Sequence, residues 1–291
     1  MDRGDKSQFG NAGGSCAPDP VSRRSGKFGK GHGPAVLLYH SIEMGRSTPD
    51  WQWSVSLQRF VEQLDYLTDA GWSPVALADL DRPEIRTASR RFAITFDDAY
   101  EDTLPAYEIL AERGYPATWF VVSSALCGLS TWRNPGVPNR PTLLPHHLRE
   151  MRASGMEIGG HSRSHRRLTE VPVRQLAVET AGSRKVLEDL LDGPVESFAY
   201  PYGSYNRAVI EAVRDAGYRR ACSTENGLAW RDEDPFRLGR IEIHAGDTRA
   251  AFARKLILRD DNAGLKGAAR SALRFARRAT GANCRLPREF A

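Results

Sequence analysis

The chain has 291 residues, of which 41% are hydrophobic and 26% charged, which is ordinary for a globular protein and enough for one large α/β barrel or two smaller domains. Its formal net charge of +5 resides at the ends, because residues 34–253 carry 25 Lys/Arg against 30 Asp/Glu. A basic groove for nucleic acid is therefore not expected. No run of about eighteen apolar residues predicts a transmembrane helix, and the N-terminus lacks the apolar segment of a secretion signal. A cytoplasmic location is expected.

The two ends differ from the centre. Residues 1–33 carry 6 basic against 3 acidic residues, are rich in Gly and Ser, and are predicted to form a disordered basic tail. Residues 254–291 carry 10 basic against 3 acidic residues. Within this segment, residues 264–280 place Leu265 and several alanines on one helical face and basic residues on the rest. This C-terminal helical extension is expected to pack lightly on the central domain. Peripheral contact with the inner membrane face is the alternative.

From Pro34 onward, short apolar runs alternate with segments of helical spacing. The apolar runs predict strands over 35–39, 74–77, 92–96, 118–122, 156–159, 198–200, 220–222 and 238–243. Helices are predicted from a cap at Ser56 to near Gly71, and over 104–113, 142–154, 173–191, 207–216 and 248–258.

Repeated strand–helix units with buried strands indicate an α/β fold with a parallel sheet covered by helices. Seven or eight such units favour a distorted (β/α) barrel of about seven parallel strands surrounded by helices; a doubly wound open sheet is the alternative. In a barrel, the carboxyl ends of the strands meet at one face and carry the chemistry. Six residues whose side chains can bind a metal, transfer a proton or form a hydrogen bond lie at or just after predicted strand ends: His40, Asp97, Asp98, His161, Tyr202 and His244.

Two of these segments together offer the ligands of a catalytic metal. Asp97 and Asp98 close an apolar strand, and His161 and His165 are separated by three residues. One Asp and two His can bind a divalent ion and leave a position open for water, with the second carboxylate free as a base. Adjacent strand residues face opposite sides, so both aspartates can serve one site only if the chain bends after Phe96. Taken singly, an Asp pair is more often a loop or helix cap.

Four ordered motifs carry a family resemblance that covers about residues 34–253. They are Thr95-Phe96-Asp97-Asp98-Ala99, His161-Ser162-Arg163-Ser164-His165, Phe198-Ala199-Tyr200-Pro201-Tyr202-Gly203 and Ile241-Glu242-Ile243-His244. In order and rough spacing they resemble the first, second, third and fifth motifs of the NodB-homology polysaccharide deacetylases, carbohydrate esterase family 4.

The resemblance implies a role for each matching position. Asp97 would be the general base for a metal-bound water, and Asp98, His161 and His165 would bind the metal. The backbone N–H of Tyr202 would stabilise the oxyanion, and His244 would protonate the leaving amine. Without the motif order, Tyr202 could equally be a core aromatic residue and His244 a structural histidine.

The chain also departs from the family pattern. Ala99 replaces the usual Gly, and Ala199 stands where the family often has an arginine that orients the base. Asp97 must then be held by another group, such as Arg240, or by solvent. The fourth motif has no clear match at 222–227.

Substrate contacts are expected from His40, Trp132 and Pro201. His40 resembles a first-strand histidine of related deacetylases, although a structural role is equally open. Trp51 and Trp53 are further candidates for stacking on a sugar, whereas Trp119 belongs to a buried strand and is expected in the core.

The sequence therefore predicts a metal-dependent hydrolase that removes N-acetyl or N-formyl groups from an amino-sugar glycan or a lipid-linked or nucleotide-linked precursor. Zinc is the favoured metal, with cobalt, nickel or manganese as alternatives. Rival hypotheses are an O-deacetylase, an amidase acting on a non-sugar substrate, and a catalytically silent glycan-binding barrel. Nucleic-acid binding ranks last.

Overall fold

The computed structural model describes residues 33–45, 48–126, 128–130, 132, 139–227, 229–230 and 234–259. The strands of this part are β1 Ala35–Tyr39, β2 Ser41–Glu43, β3 Ser54–Ser56, β4 Ser73–Pro74, β5 Arg91–Phe96, β6 Ala117–Val121, β7 Glu157–Gly160, β8 Ser197–Ala199, β9 Arg220–Cys222 and β10 Ile241–Glu242. Its helices are α1 Leu57–Asp69, α2 Pro83–Arg86, α3 Leu104–Glu112, α4 Pro145–Ala153, α5 Val173–Glu179, α6 Ala181–Leu191, α7 Arg207–Asp215 and α8 Arg249–Leu258. The predicted tail over 1–33, apart from Gly33, and the predicted helix over 264–280 lie outside the described residues.

The strands form the parallel sheet of the expected barrel. Seven strands follow the order β10-β1-β5-β6-β7-β8-β9, and β4 pairs with β5 beside this path. From β1 to β9 the order follows the chain, which excludes the doubly wound alternative because that fold reverses direction within its sheet. The sheet curls into a half-barrel. The segment 238–241 pairs with strands at both ends of this sheet: Leu238 forms a bridge with Cys222 of β9, and Ile241 pairs with Leu37 of β1.

Strand periodicity separates two packing faces. In β5, Phe92, Ile94 and Phe96 belong to the main hydrophobic cluster that the helices cover, whereas Ala93 belongs to a smaller cluster on the opposite, concave face. This alternation follows from the period of two along a strand. It decides which side chains reach the inside of the barrel at each strand end.

The predicted helix over 173–191 is in fact two helices, α5 and α6. They meet at Thr180, whose hydroxyl donates to the carbonyl oxygen of Leu176 at 2.9 Å. Such a bond to the residue four positions earlier competes with the helical ladder and bends the chain. The composition of this segment gave no stop signal strong enough to predict the break.

Three other predicted elements are shorter than expected. The strand over 74–77 ends at Pro74, because a short helical turn over Leu77–Asp81 begins three residues later. The helix over 142–154 begins at Pro145, a residue favoured at the first helical position, after Thr142 has bridged Tyr100. The strand over 238–243 is reduced to Ile241–Glu242, because its first residue pairs with β9 instead.

The last described helix crosses the predicted domain boundary at residue 253. Thr248 caps α8, accepting from the N–H of Ala251 at 3.3 Å, and Lys255 and Leu256 are buried. Residues up to Leu258 therefore continue the fold. None of the helices in the described part of the chain has the length and apolar character that crossing a bilayer requires.

Candidate active site

The two aspartates reach one site because the backbone turns sharply after β5. Asp97 continues the concave face of Ala93 and Thr95, and its N–H still donates to the carbonyl oxygen of Tyr39 at 2.9 Å. Asp98 and Ala99 then adopt left-handed conformations, with φ of +70° and +50°. These are uncommon for residues other than glycine. The bend that the sequence required for a shared site is present.

The two histidines lie on a loop that is fixed by hydrogen bonds rather than on a helix. The Ser162 hydroxyl accepts from the N–H of His165 at 2.9 Å, and both residues have left-handed backbones. Glu179 of α5 accepts from the N–H of Ser164 at 2.9 Å and from its hydroxyl at 2.6 Å. The loop therefore holds two imidazoles at the carboxyl end of β7 in a defined geometry.

Asp98, His161 and His165 form a buried group whose ligand atoms all lie within 4.8 Å of one another. Asp98 Oδ1 is 3.0 Å from Nε2 of His165 and 3.6 Å from Nε2 of His161. Asp97 is more distant, with Oδ2 at 4.0 Å from the same His161 nitrogen. The structure thus brings together the three residues that the sequence assigned to a metal.

The hydrogen bonds around this group suit a cation. Nδ1 of His161 lies 2.8 Å from the carbonyl oxygen of Ala199. A carbonyl oxygen only accepts, so Nδ1 carries the hydrogen and Nε2 keeps its lone pair, the arrangement found in metal-bound histidines. Asp98 Oδ1 is buried, and among the described residues no donor meets it with hydrogen-bond geometry, although Nε2 of His165 lies 3.0 Å away. A divalent ion would satisfy this oxygen, and the donor set fits zinc.

The charges of the group follow from its burial. Burial lowers the pKa of His161 from 6.5 to about 4, against the attraction of Asp97. For Asp98, burial alone would raise the pKa, but the attraction of His165 and then His161 outweighs it and the pKa is lowered. Near neutral pH the site therefore holds a neutral His161 and an ionised Asp98, which are the forms that bind a metal.

A guanidinium holds Asp97 in place. Arg240 precedes β10 on the concave face and is fully buried. Its Nη1 and Nη2 donate to Oδ1 and Oδ2 of Asp97, both at 2.7 Å, and its Nε donates to the carbonyl oxygen of Ser223 at 3.0 Å. Burial raises the pKa of Asp97, but the attraction of Arg240 outweighs it and the pKa is lowered. Arg240 thus provides the contact that Ala199 cannot.

The predicted acid, His244, follows β10, and the predicted oxyanion donor, Tyr202, follows β8. The ring of His244 is 4.8 Å from that of Trp53, which is 5.2 Å from His40. His40 in turn attracts both aspartates. Tyr202 has a left-handed backbone, and its ring is 4.6 Å from His165. Their assigned roles remain predictions.

The turn that carries Tyr202 has a local structural explanation. Pro201 is buried at its start, and its carbonyl oxygen accepts from the N–H of Ser204 at 3.1 Å. At Gly203 the φ is +61°, and a Cβ would collide with the side chain and backbone of Thr224. Glycine is therefore required next to Tyr202. The contacts of Pro201 are those of a turn residue, and its assignment to the substrate is untested.

Aromatic side chains surround the histidine loop. The ring of Trp132 lies 4.7 Å from that of His165, and its Nε1 donates to the hydroxyl of Tyr100 at 3.3 Å. Trp51 lies 5.9 Å from Tyr100 and packs under the guanidinium of Arg140 at 4.4 Å. Trp132 thus contacts a predicted metal ligand directly, whereas Trp51 packs against Tyr100 on the far side of it. Trp119, in contrast, is fully buried and stacks on Phe96, as expected of a core residue.

Several residues of the site were missed from the sequence. Glu179, which holds the histidine loop, lies in a helix and carries no motif. Tyr100 follows the aspartate motif directly, and its position beside Asp98 was the available signal. Lys255 and Asp247 contact His244, and only the short spacing between His244 and Asp247 pointed to them.

The burial of His161 leads to a prediction for the metal-free protein. We expect the free energy of unfolding to fall as the pH drops from about 6.5 to about 4, because the unfolded imidazole takes up a proton in this range and the folded one does not. This group alone would contribute up to about 3 kcal/mol. Urea unfolding at successive pH values measures it, and His161→Gln should flatten the profile. A stability that is constant or rises towards pH 4 would refute the expectation.

Comparison with known proteins agrees with the fold and the motifs. Residues 84–221 match the family model for polysaccharide deacetylases. The candidate polysaccharide deacetylase YxkH of Bacillus subtilis (strain 168) is 27% identical over 221 residues, covering 75% of this chain and 74% of that protein. The peptidoglycan-N-acetylglucosamine deacetylase PgdA of Listeria monocytogenes is 27% identical over 135 residues, which are 45% of this chain but 26% of PgdA.

A solved structure shares the same fold. IcaB from Ammonifex degensii superposes with a TM-score of 0.65 at 24% identity, over 78% of this chain and 96% of that one. The family match lies across strands β5 to β9, which carry the aspartate and histidine motifs. The resemblance seen in the motifs is thereby confirmed: residues 84–221 of the chain match the polysaccharide deacetylases, which are hydrolases that act on carbon–nitrogen bonds.

Proposed function

We propose that the protein is a metal-dependent deacetylase that removes N-acetyl or N-formyl groups from an amino-sugar unit of a glycan or glycan precursor. The observation that carries this proposal is the buried group of Asp98, His161 and His165 beside a second carboxylate, Asp97, which Arg240 keeps ionised. Binding alone needs no such second carboxylate. Asp98 contacts the two histidines, whereas the neighbouring Asp97 contacts an arginine. These different contacts favour an enzyme over a catalytically silent glycan-binding barrel.

The metal would be held by Asp98, His161 and His165, with zinc favoured and cobalt, nickel or manganese as alternatives. Once bound, it would supply a Lewis acid for activating water and polarising the acetyl carbonyl. Asp97 would accept the proton of the attacking water. The N–H of Tyr202 would donate to the developing oxyanion. His244 would deliver a proton to the leaving amine nitrogen, so that the products are a free amine and acetate, or formate from an N-formyl group.

The surroundings of the site suit a sugar substrate. Trp132 presents an aromatic ring beside His165, and Trp51 presents another beside Tyr100 and Arg140, whose polar groups lie next to it. An apolar ring face with polar neighbours is how proteins commonly bind small polar ligands. An N-acetylated amino-sugar polymer is the substrate class we propose, with lipid-linked or nucleotide-linked precursors as narrower candidates and His40 as a further contact.

The proposal is tested with purified protein loaded with zinc or cobalt. N-acetylated glucosamine oligomers, peptidoglycan fragments and nucleotide-linked N-acetyl sugars should be assayed for acetate and for new free amines. O-acetylated sugars and non-sugar N-acetyl amides in the same panel separate the rival hydrolases. Release of acetate with an equal yield of amine is expected from at least one glycan. No release across the panel, with metal bound in stoichiometric amount, would overturn the proposal.

A further inference from the structure

An arginine without a carboxylate partner lies beside the candidate active site. Arg167 comes two residues after His165 and is exposed, and its guanidinium packs over the ring of Tyr202 at 4.4 Å. That ring is 4.6 Å from the ring of His165, one of the residues assigned to the metal. Among the described residues, no carboxylate pairs with Arg167. A guanidinium stacked on an aromatic face keeps the N–H donors at its edge available for a ligand.

Two other guanidiniums near the site are already neutralised. Arg240 donates to both oxygens of Asp97 at 2.7 Å. Arg140 donates to Oδ2 of Asp102 at 2.9 Å and to Oε1 of Glu43 at 3.2 Å. These ion pairs leave little positive charge for a ligand, and around Arg140 the carboxylates outnumber the guanidinium.

The preceding residue provides an internal comparison. Arg166 has the same charge and is also exposed, but no aromatic ring in the described part of the chain holds its guanidinium. A mobile side chain loses conformational entropy when it binds a ligand, whereas a stacked side chain has already lost part of it. Arg167 is therefore better preorganised than Arg166 for the bidentate hydrogen bonds that a guanidinium forms with a carboxylate or a phosphate.

We propose that Arg167 is a specificity-determining residue that binds an anionic group of the glycan, a carboxylate or a phosphate, close to the N-acetyl group that is removed. The inference rests on the proposed deacetylase function, because it assigns the substrate class of that same site. The anion would lie beside Tyr202 rather than beside the carboxylates around Arg140, which would repel it. If Arg167 were only a solvated surface residue, the site would bind neutral and anionic glycans equally well.

Calorimetric binding of matched glycans to zinc-loaded Asp97→Asn tests the inference, since the slow turnover expected of this variant leaves the ligands intact. An N-acetylglucosamine tetramer is compared with a tetramer in which alternate sugars carry a lactyl carboxylate. Free N-acetylglucosamine is compared with N-acetylglucosamine linked to a nucleoside diphosphate, so that the two pairs separate a carboxylate from a phosphate. Arg167→Gln is added to this background, and Arg166→Gln is the matched control.

At least one anionic ligand should bind about tenfold or more tightly than its neutral reference, as expected for charge-assisted hydrogen bonds. Arg167→Gln should remove most of this preference and leave the dissociation constant of the neutral ligand nearly unchanged. Arg166→Gln should change neither constant by more than about twofold. Equal binding of neutral and anionic ligands would overturn the inference. A preference that survives Arg167→Gln, or that Arg166→Gln removes to the same extent, would also overturn it.

Acetate release by the zinc-loaded wild type separates this failure from failure of the proposed function. If the preference for the anionic ligand depends on Arg167 but the wild type hydrolyses no glycan, the proposed function fails and the anion site stands. If the wild type deacetylates the neutral and anionic glycans with equal kcat/KM, the proposed function stands and the inference fails.

Discussion

Asp97→Asn is expected to lower turnover by about 10²- to 10⁴-fold while metal content stays at the wild-type level. The amide cannot accept the proton of the attacking water, and a positioned general base typically contributes a factor of this size. The metal should remain because Asp98, not Asp97, lies closest to the two imidazoles. Acetate release and metal analysis on the same samples measure the two effects.

The neighbouring aspartate offers the matched comparison. Asp98→Asn should lose metal as well as activity, and His161→Ala should behave in the same way. The two adjacent carboxylates would then have different roles: Asp98 binds the metal, and Asp97 accepts the proton of the attacking water. An Asp97→Asn protein that still turns over at near wild-type rates, or that loses its metal, would show that the roles are wrongly assigned.

Arg240→Met is expected to destabilise the fold by about 3–5 kcal/mol and to lower kcat at least about 100-fold. Removing one partner of a buried ion pair leaves an uncompensated charge, and Asp97 has both its oxygens on Arg240 at 2.7 Å. Without the guanidinium, Asp97 would be easier to protonate and less well oriented as a base. Chemical denaturation and steady-state kinetics measure the two changes.

A double-mutant cycle separates the pair from general damage to the core. Asp97→Asn/Arg240→Met removes both charges, so its loss of stability should be smaller than the sum of the two single variants by more than about 1 kcal/mol. Arg207→Gln, which breaks an exposed pair with Glu211, should change neither stability nor kcat appreciably. Additive losses in the cycle would mean that Arg240 stabilises the core without acting through Asp97.

The sequence was most informative where local rules act. The helix α1 is capped by Ser56, whose hydroxyl accepts from the N–H of Arg59 as predicted, and the apolar spacing identified its buried face. Continuous apolar runs located β1 and β5 because a strand covered on both faces cannot alternate with polar residues. The parallel strands then carry Asp98 and His161 to one end of the sheet, so their proximity could be expected from the order of elements alone.

Contacts between distant segments were less accessible. The sequence left both Arg240 and solvent open as partners for Asp97, because periodicity assigns a face but gives no distance across a barrel. The left-handed backbone of Asp98 was required by the shared site but could not be read from residue type, since aspartate adopts this conformation only occasionally. Lys255 was assigned to a basic extension, because its charge gave no sign that it would be buried beside His244.

Zinc-loaded crystals, with anomalous diffraction recorded at the zinc absorption edge, test the central claim most directly. One strong peak should lie within bonding distance of Asp98, His161 and His165, with Asp97 close by but bound to Arg240 instead. A peak at a different set of side chains, or zinc bound in stoichiometric amount while these three residues keep their direct contacts with one another, would contradict the site described for this chain.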